Sequence, residues 1–79
     1  MTNLAQLRPG QSGVVCCTEL SPPDARRLSQ AGIVPGRRVR VLARLPLGGP
    51  VVVAVDWGML ALERELAVGV RLVAGGGRR

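Results

Sequence analysis

The chain contains no histidine, no lysine, no tyrosine and no phenylalanine, and only one aromatic residue, Trp57. Without those side chains it lacks most of the groups that carry protons in general acid–base catalysis. One aromatic residue cannot supply the stacking platform that single-strand nucleic-acid binders use. No apolar run approaches the ~20 residues that a membrane-spanning helix needs. No glycine-rich phosphate loop is present either, because Gly75-Gly76-Gly77 follows the last strand-like segment with no helix after it. Glu63 and Glu65 flank Arg64 and read as solvated carboxylates. These absences predict a non-enzyme with no catalytic residues and no cofactor.

Cysteine is scarce as well. Cys16 and Cys17 are adjacent within the strand-like run Gly13 to Thr18. Successive strand side chains point to opposite faces, so the two thiols are expected to diverge, one into the core and one away from it, both reduced. Two cysteines without histidine fall short of a four-ligand zinc site. The remaining ligand types are Glu19, Asp24, Asp56, Glu63 and Glu65, and no pair has the spacing of a recognised metal motif. No metal site is expected on these residues.

The chain has 79 residues, room for one small domain. Such a domain buries roughly 60% of the surface its unfolded chain exposes, so the core is thin. Apolar residues make up 47% of the sequence, enough for that core without a disulfide or structural metal, and valine predominates, which favours strands. The start, Met1-Thr2-Asn3-Leu4, lacks the basic and apolar regions of a secretory signal, so the expected location is cytoplasmic. All eleven basic residues are arginine and the formal net charge is +6. Arg78 and Arg79 sit on the glycine tail, so the reading places a domain at 1–74 and a disordered tail at 75–79. Charge alone leaves nucleic acid, an anionic surface and simple solubility open.

Local signals divide the chain into short elements. Leu4 and Leu7 suit a single helical turn that Pro9-Gly10 ends. After the strand at 13–18, Ser21 is placed to cap a helix, with Pro22 at its first position and Asp24 in its first turn. Ala25 and Leu28 are expected to face inward, and Gly32 stands where a left-handed residue ends a helix. Pro35-Gly36 fits the centre of a type II turn. In 37–44, Val39, Val41 and Ala43 share one face, while Arg38, Arg40, Arg44 and Leu42 share the other, the pattern of a half-buried strand. The loop 46–50, a strand at 51–55, a turn at Asp56-Trp57-Gly58, a strand at 59–62, a single helical turn at 63–67 and a strand at 68–73 complete the series. Five short strands with one helix between the first two predict a mainly β fold, a small five-stranded barrel that leaves little free edge.

The ordered set Leu4-x-x-Leu7-x-Pro9-Gly10-x-x-Gly13-x-Val15, Arg27-Leu28-x-x-Ala31-Gly32-Ile33-x-Pro35-Gly36-x-x-Val39-x-Val41, Pro46-Leu47-Gly48-Gly49-Pro50 and Leu60-Ala61-Leu62-x-Arg64-x-x-Ala67 resembles the FeoA family of small SH3-like proteins. The resemblance covers Leu4 to about Leu72, nearly the whole chain. Single pieces such as Pro-Gly are weak signals, whereas the complete series at this spacing is specific. The resemblance implies an SH3-like barrel acting as a cytoplasmic helper of FeoB, the membrane ferrous-iron transporter with a GTP-binding domain. The same fold forms the C-terminal domain of iron-dependent repressors of the DtxR type, but this chain has no room for their helix-turn-helix domain.

Most of the matching glycines and prolines have structural duties, so contact residues must be sought elsewhere. Leu45 and Leu47 lie in the loop between two strands, and an apolar side chain at a turn tip suits a partner. Trp57 at the next turn is a candidate contact anchor or a cap on the open barrel end. Arg38, Arg40 and Arg44 form a stripe that suits acidic groups on a partner, or only solvent. The expected partner is a FeoB-type transporter on its cytoplasmic side, with no specific nucleic acid; weak self-association through edge strands is left open. The competing readings are a metal-responsive SH3-like module using Cys16 or Cys17, and a basic nucleic-acid-binding barrel.

Overall fold

Valine-rich strands separated by glycine and proline turns fold into one antiparallel sheet, and the structure, a computed structural model, describes residues 2–73. The glycine–arginine tail expected at 75–79 lies outside the described residues. The strands are β1 (Thr2–Asn3), β2 (Ser12–Thr18), β3 (Arg38–Arg44), β4 (Val51–Val55), β5 (Gly58–Leu62) and β6 (Val70–Val73). They line up in the order β1-β6-β2-β3-β4-β5. Helix α1 (Pro22–Gln30) joins β2 to β3, and helix α2 (Arg64–Gly69) joins β5 to β6. The five expected strands are all present. The sixth is the two-residue β1, whose Thr2 and Asn3 pair with Leu72 and Arg71.

Alternation within β3 and β4 sets the inner face of the sheet. Val39, Val41, Val51 and Val53 are all 1% exposed or less. They meet Leu28 of α1, Ile33 beyond it, Leu66 and Ala67 of α2, and Leu4 of the 3-10 turn Leu4–Gln6 in a single core, and no polar or charged residue is buried among the described residues. Because that core contains no aromatic ring, it depends on many small β-branched contacts rather than a few large ones.

Helix α1 starts at Pro22 as expected, but the Ser21 side chain makes no capping hydrogen bond; the Ser21 carbonyl accepts from Ala25 N–H at 2.9 Å. Its C-terminus is a Schellman motif. Gly32 adopts φ +94°, its N–H donates to the Ser29 carbonyl at 3.0 Å, and Ile33 N–H donates to the Leu28 carbonyl at 2.9 Å. Ile33, so positioned, drops into the core at 1% exposure. The turn that follows has Gly36 at φ +91° and closes through Arg37 N–H to the Val34 carbonyl at 3.1 Å.

The last helix and strand differ from the sequence reading. Val68 and Gly69 belong to α2, and β6 starts at Val70 instead of Val68. Burial of Leu66, Ala67 and Gly69 outweighs the strand preference of Val68, which stays on the exposed side. Gly69 packs so closely that an added Cβ would lie 2.3 Å from Leu20 Cδ2 and 2.9 Å from the Glu19 carbonyl oxygen. The same two backbones are tied by Glu19 N–H donating to the Gly69 carbonyl at 2.7 Å.

Candidate functional site

The β3–β4 loop is a tight hairpin connection. Leu45 N–H donates to the Pro50 carbonyl at 3.0 Å, and Gly49 N–H donates to the Pro46 carbonyl at 3.1 Å. Between them, Leu47 has φ +61° and Gly48 φ +71°. Two successive positive φ values define a type I′ turn, which matches the twist of the flanking strands and ordinarily selects Asn-Gly or Gly-Gly. Leu47 is the only non-glycine residue with positive φ among the described residues. Its side chain is 102% exposed, so folding buries none of it. Leu45 beside it is 46% exposed.

Trp57 sits in the β4–β5 turn. Its Nε1–H donates to the Ala31 carbonyl at 2.7 Å, and an added Cβ at Gly32 would lie 3.3 Å from Nε1. The indole therefore clasps the C-terminal end of α1 with its polar edge, yet 64% of the residue remains exposed. Next to it, the Asp56 carboxylate accepts from the Arg37 guanidinium, which anchors the turn to the start of β3.

Sequence reasoning groups Leu45, Leu47 and Trp57 at neighbouring turns, but the register places them at opposite ends of the sheet. β3 and β4 pair from Arg40–Ala54 to Arg44–Val51, and β5 returns from Gly58, opposite Val55, to Leu62, opposite Val51. The five residues of β4, about 17 Å at roughly 3.3 Å per residue, separate the two turns. The arginine stripe is broken too. A β-bulge between Val41 and Ala43 shifts the alternation by one residue. Arg40 pairs with Ala54 on the outer face, whereas Arg44 pairs with Val51, whose side chain is buried. Arg44 consequently turns to the rim of the core, with Nη1 3.5 Å from the Leu7 carbonyl. The outer face keeps Arg38 and Arg40. It also carries Met59, opposite Ala54 and 64% exposed, and Leu42, the extra residue of the bulge, 42% exposed. Leu42 was expected on this face, whereas sequence reasoning missed Met59, because only the register reveals it.

A second bulge changes the reading of the cysteines. The β2–β6 register shifts between Val15, opposite Leu72, and Cys17, opposite Arg71, leaving Cys16 as the extra residue. Both thiols are free and partly exposed, so neither is sunk in the core as expected. The Cys17 thiol is pushed above its ordinary range, first by desolvation, then by its hydrogen bond to Cys16 and the charges of Cys16 and Glu19, with Arg71 opposing. Among the described residues no three His, Cys, Asp or Glu side chains come together as a metal cluster. None of the helices there is long and apolar enough to cross a membrane.

A six-stranded antiparallel sheet folded over one core, with a short helix between its long strands, defines a small SH3-like protein. The FeoA domain model matches residues 2–73, and the chain belongs to the FeoA family. FeoA of Stenotrophomonas maltophilia, a prokaryotic SH3-domain protein solved with zinc, is 33% identical with a TM-score of 0.81, over 94% of this chain and 92% of that one. FeoA of Chlorobium tepidum is 30% identical with a TM-score of 0.84, over 95% of this chain and 72% of that one. A manganese-dependent transcriptional repressor is also 30% identical with a TM-score of 0.83, over 91% of this chain but only 40% of its own length. Among curated protein sequences, none matches this chain.

Proposed function

We propose that this protein is a cytoplasmic accessory factor of bacterial ferrous-iron transport. It performs no catalysis and acts by direct contact with a FeoB-type membrane transporter. Family membership supports the link to iron transport, since the Stenotrophomonas relative is put forward as a ferrous iron transport activating factor. The observation that carries the contact reading is Leu47. A bulky residue held at φ +61° costs roughly 1–2 kcal/mol relative to a right-handed conformation. Its complete exposure returns nothing to the fold. Strain without a structural benefit is the signature of a residue kept for recognition. Leu45 extends the apolar tip, while Arg38 and Arg40 with Met59 supply a second, outer-face contact area, and Trp57 a third at the far end.

The test is a pull-down with the transporter's cytoplasmic domain, paired with ferrous uptake in a deletion strain complemented by wild type or Leu47→Asp. Wild type is expected to bind and restore uptake, and Leu47→Asp to lose both while melting no lower. Normal uptake in the uncomplemented deletion strain under iron limitation would contradict the proposal.

A further inference from the structure

Strand register assembles one continuous surface on the outer face of the sheet. Across its middle run Ser12, Arg40, Ala54 and Met59, one from each of β2 to β5 and paired in turn. Beside that row, Val14 lies between Arg38 of β3 and Val73 of β6. On the row's other side the β3 bulge adds Leu42. Met59, Leu42 and Val73 are 64%, 42% and 49% exposed, and Arg38 and Arg40 are exposed among them. None of these residues is acidic, and Ser12 is the one neutral polar side chain in the set. Arg40 has no ion-pair partner among the described residues. Charges of one sign therefore stand among large apolar side chains. That mixture narrows the partner. A protein interface ordinarily carries about one hydrogen bond per 100–200 Å², with donors and acceptors on both sides, and this face offers almost no acceptor. A nucleic acid would engage the guanidiniums but leave Met59, Leu42 and Val73 facing sugar and phosphate, with no aromatic ring to stack a base. An anionic bilayer offers both partners at once: phosphate oxygens that accept from arginine, and hydrocarbon just beneath them.

We propose that this outer face docks on an anionic phospholipid surface, with Arg38 and Arg40 at the headgroup phosphates and Met59, Leu42 and Val73 reaching the first part of the acyl layer. The inference rests on the reading above in one respect, that a membrane transporter brings the protein to a bilayer, and it gives the outer-face contact area to lipid. The charge of the whole chain works in the same direction. A net charge of +6 draws the molecule toward a negative surface within a Debye length, about 10 Å at 0.1 M salt. Each arginine brought to such a surface contributes about fivefold in partition, so the pair gives roughly 25-fold over a neutral surface. The apolar side chains then hold the face against the bilayer where salt has screened that attraction. The contact is peripheral and reversible, because single side chains enter the interface and no element of the fold does.

The full chain is sedimented with vesicles of equal phosphatidylglycerol and phosphatidylcholine, and with vesicles of phosphatidylcholine alone. No transporter is present, so the result is independent of the pull-down. Wild type is expected to partition onto the anionic vesicles, to stay in solution with the neutral ones, and to bind less as salt rises. Arg40→Ala should weaken partition by about fivefold and Arg40→Glu by roughly 25-fold. Met59→Ala leaves the charge unchanged and should weaken it by about threefold or more. The control is Arg26→Glu, the same change of charge on the exposed side of α1, whose Leu28 packs against the inner face of the sheet; at ~0.15 M salt it should cost no more than about twofold. All the substituted side chains except the control's lie on the outer face, and far-UV circular dichroism checks that every variant keeps its fold. No binding to anionic vesicles, equal losses for Arg26→Glu and Arg40→Glu, or an unchanged partition for Met59→Ala would each overturn the proposal. So would a dimer in sedimentation velocity that Met59→Ala dissolves, because the face would then belong to a second copy of the chain.

Discussion

Replacing Leu47 by asparagine is expected to make the protein more stable and less able to bind. Leu47 occupies the first central position of a type I′ turn with φ +61°, followed by Gly48 at φ +71°. Leu47→Asn creates the Asn-Gly pair that this turn prefers. The left-handed conformation costs an ordinary L-residue roughly 1–2 kcal/mol, and asparagine tolerates it far better. Leu47 is fully exposed, so the exchange sacrifices no buried area. The net gain is about 1 kcal/mol, which raises the melting temperature of a domain this size by roughly 4–8 °C. Leu47→Gly should gain less, because glycine gives back about 0.5–1 kcal/mol in backbone entropy. Thermal melts by far-UV circular dichroism measure the shift, and a urea titration checks that the m-value is unchanged, so that the gain belongs to the native state. The same purified variants then enter the transporter pull-down. A Leu47→Asn protein that melts at or below wild type would refute the strain argument. One that melts higher and binds equally well would remove the loop from the contact surface.

Three further outcomes follow from the packing. Gly69→Ala should lose about 1–3 kcal/mol from overpacking, because its Cβ meets both Leu20 and the Glu19 carbonyl; Gly58→Ala, with nothing within 4 Å, serves as the control, and equal midpoints for the two variants would defeat the claim. Trp57→Phe keeps most of the ring but loses the bond to the Ala31 carbonyl, a loss of about 0.5–1.5 kcal/mol; an unaltered urea midpoint would show that this bond adds nothing. The Cys17 thiol is pushed up first by desolvation, then by its hydrogen bond to Cys16 and the negative charges of ionised Cys16 and of Glu19, with Arg71 opposing. The two Cys16 effects favour protonated Cys17. Cys16→Ala should therefore shift the pH midpoint of Cys17 alkylation downward, followed by peptide mass spectrometry, and an unmoved midpoint would mean that the thiols do not communicate.

Much of the architecture was legible because it depends on local chemistry. Gly32 and Pro35-Gly36 sit at positions where the backbone takes a left-handed residue or a type II turn, whatever surrounds them. Alternation in 37–41 announced which valines would face the core. What was not legible depends on pairing between strands. The extra residues at Leu42 and Cys16 carry no sequence mark, because a bulge exists only relative to the partner strand. Each shifts the side chains beyond it by one place, which is why Arg44 left the expected stripe and neither cysteine is sunk in the core. The candidate loop itself was readable from Leu45 and Leu47 at a turn, but the strain at Leu47 required the backbone angle. Val68 and Gly69 were misread as strand because the docking of α2 against Leu20 is a long-range contact.

The pairing of Thr2 with Leu72 also decides how this fold can be combined with others. Entry and exit of the backbone lie side by side at one edge of the sheet, so an extra segment can be joined there without threading through the core. Such a unit can be inserted or appended as a self-contained cassette. A related repressor, in which the matching region occupies 40% of the chain, has the proportions expected of that use.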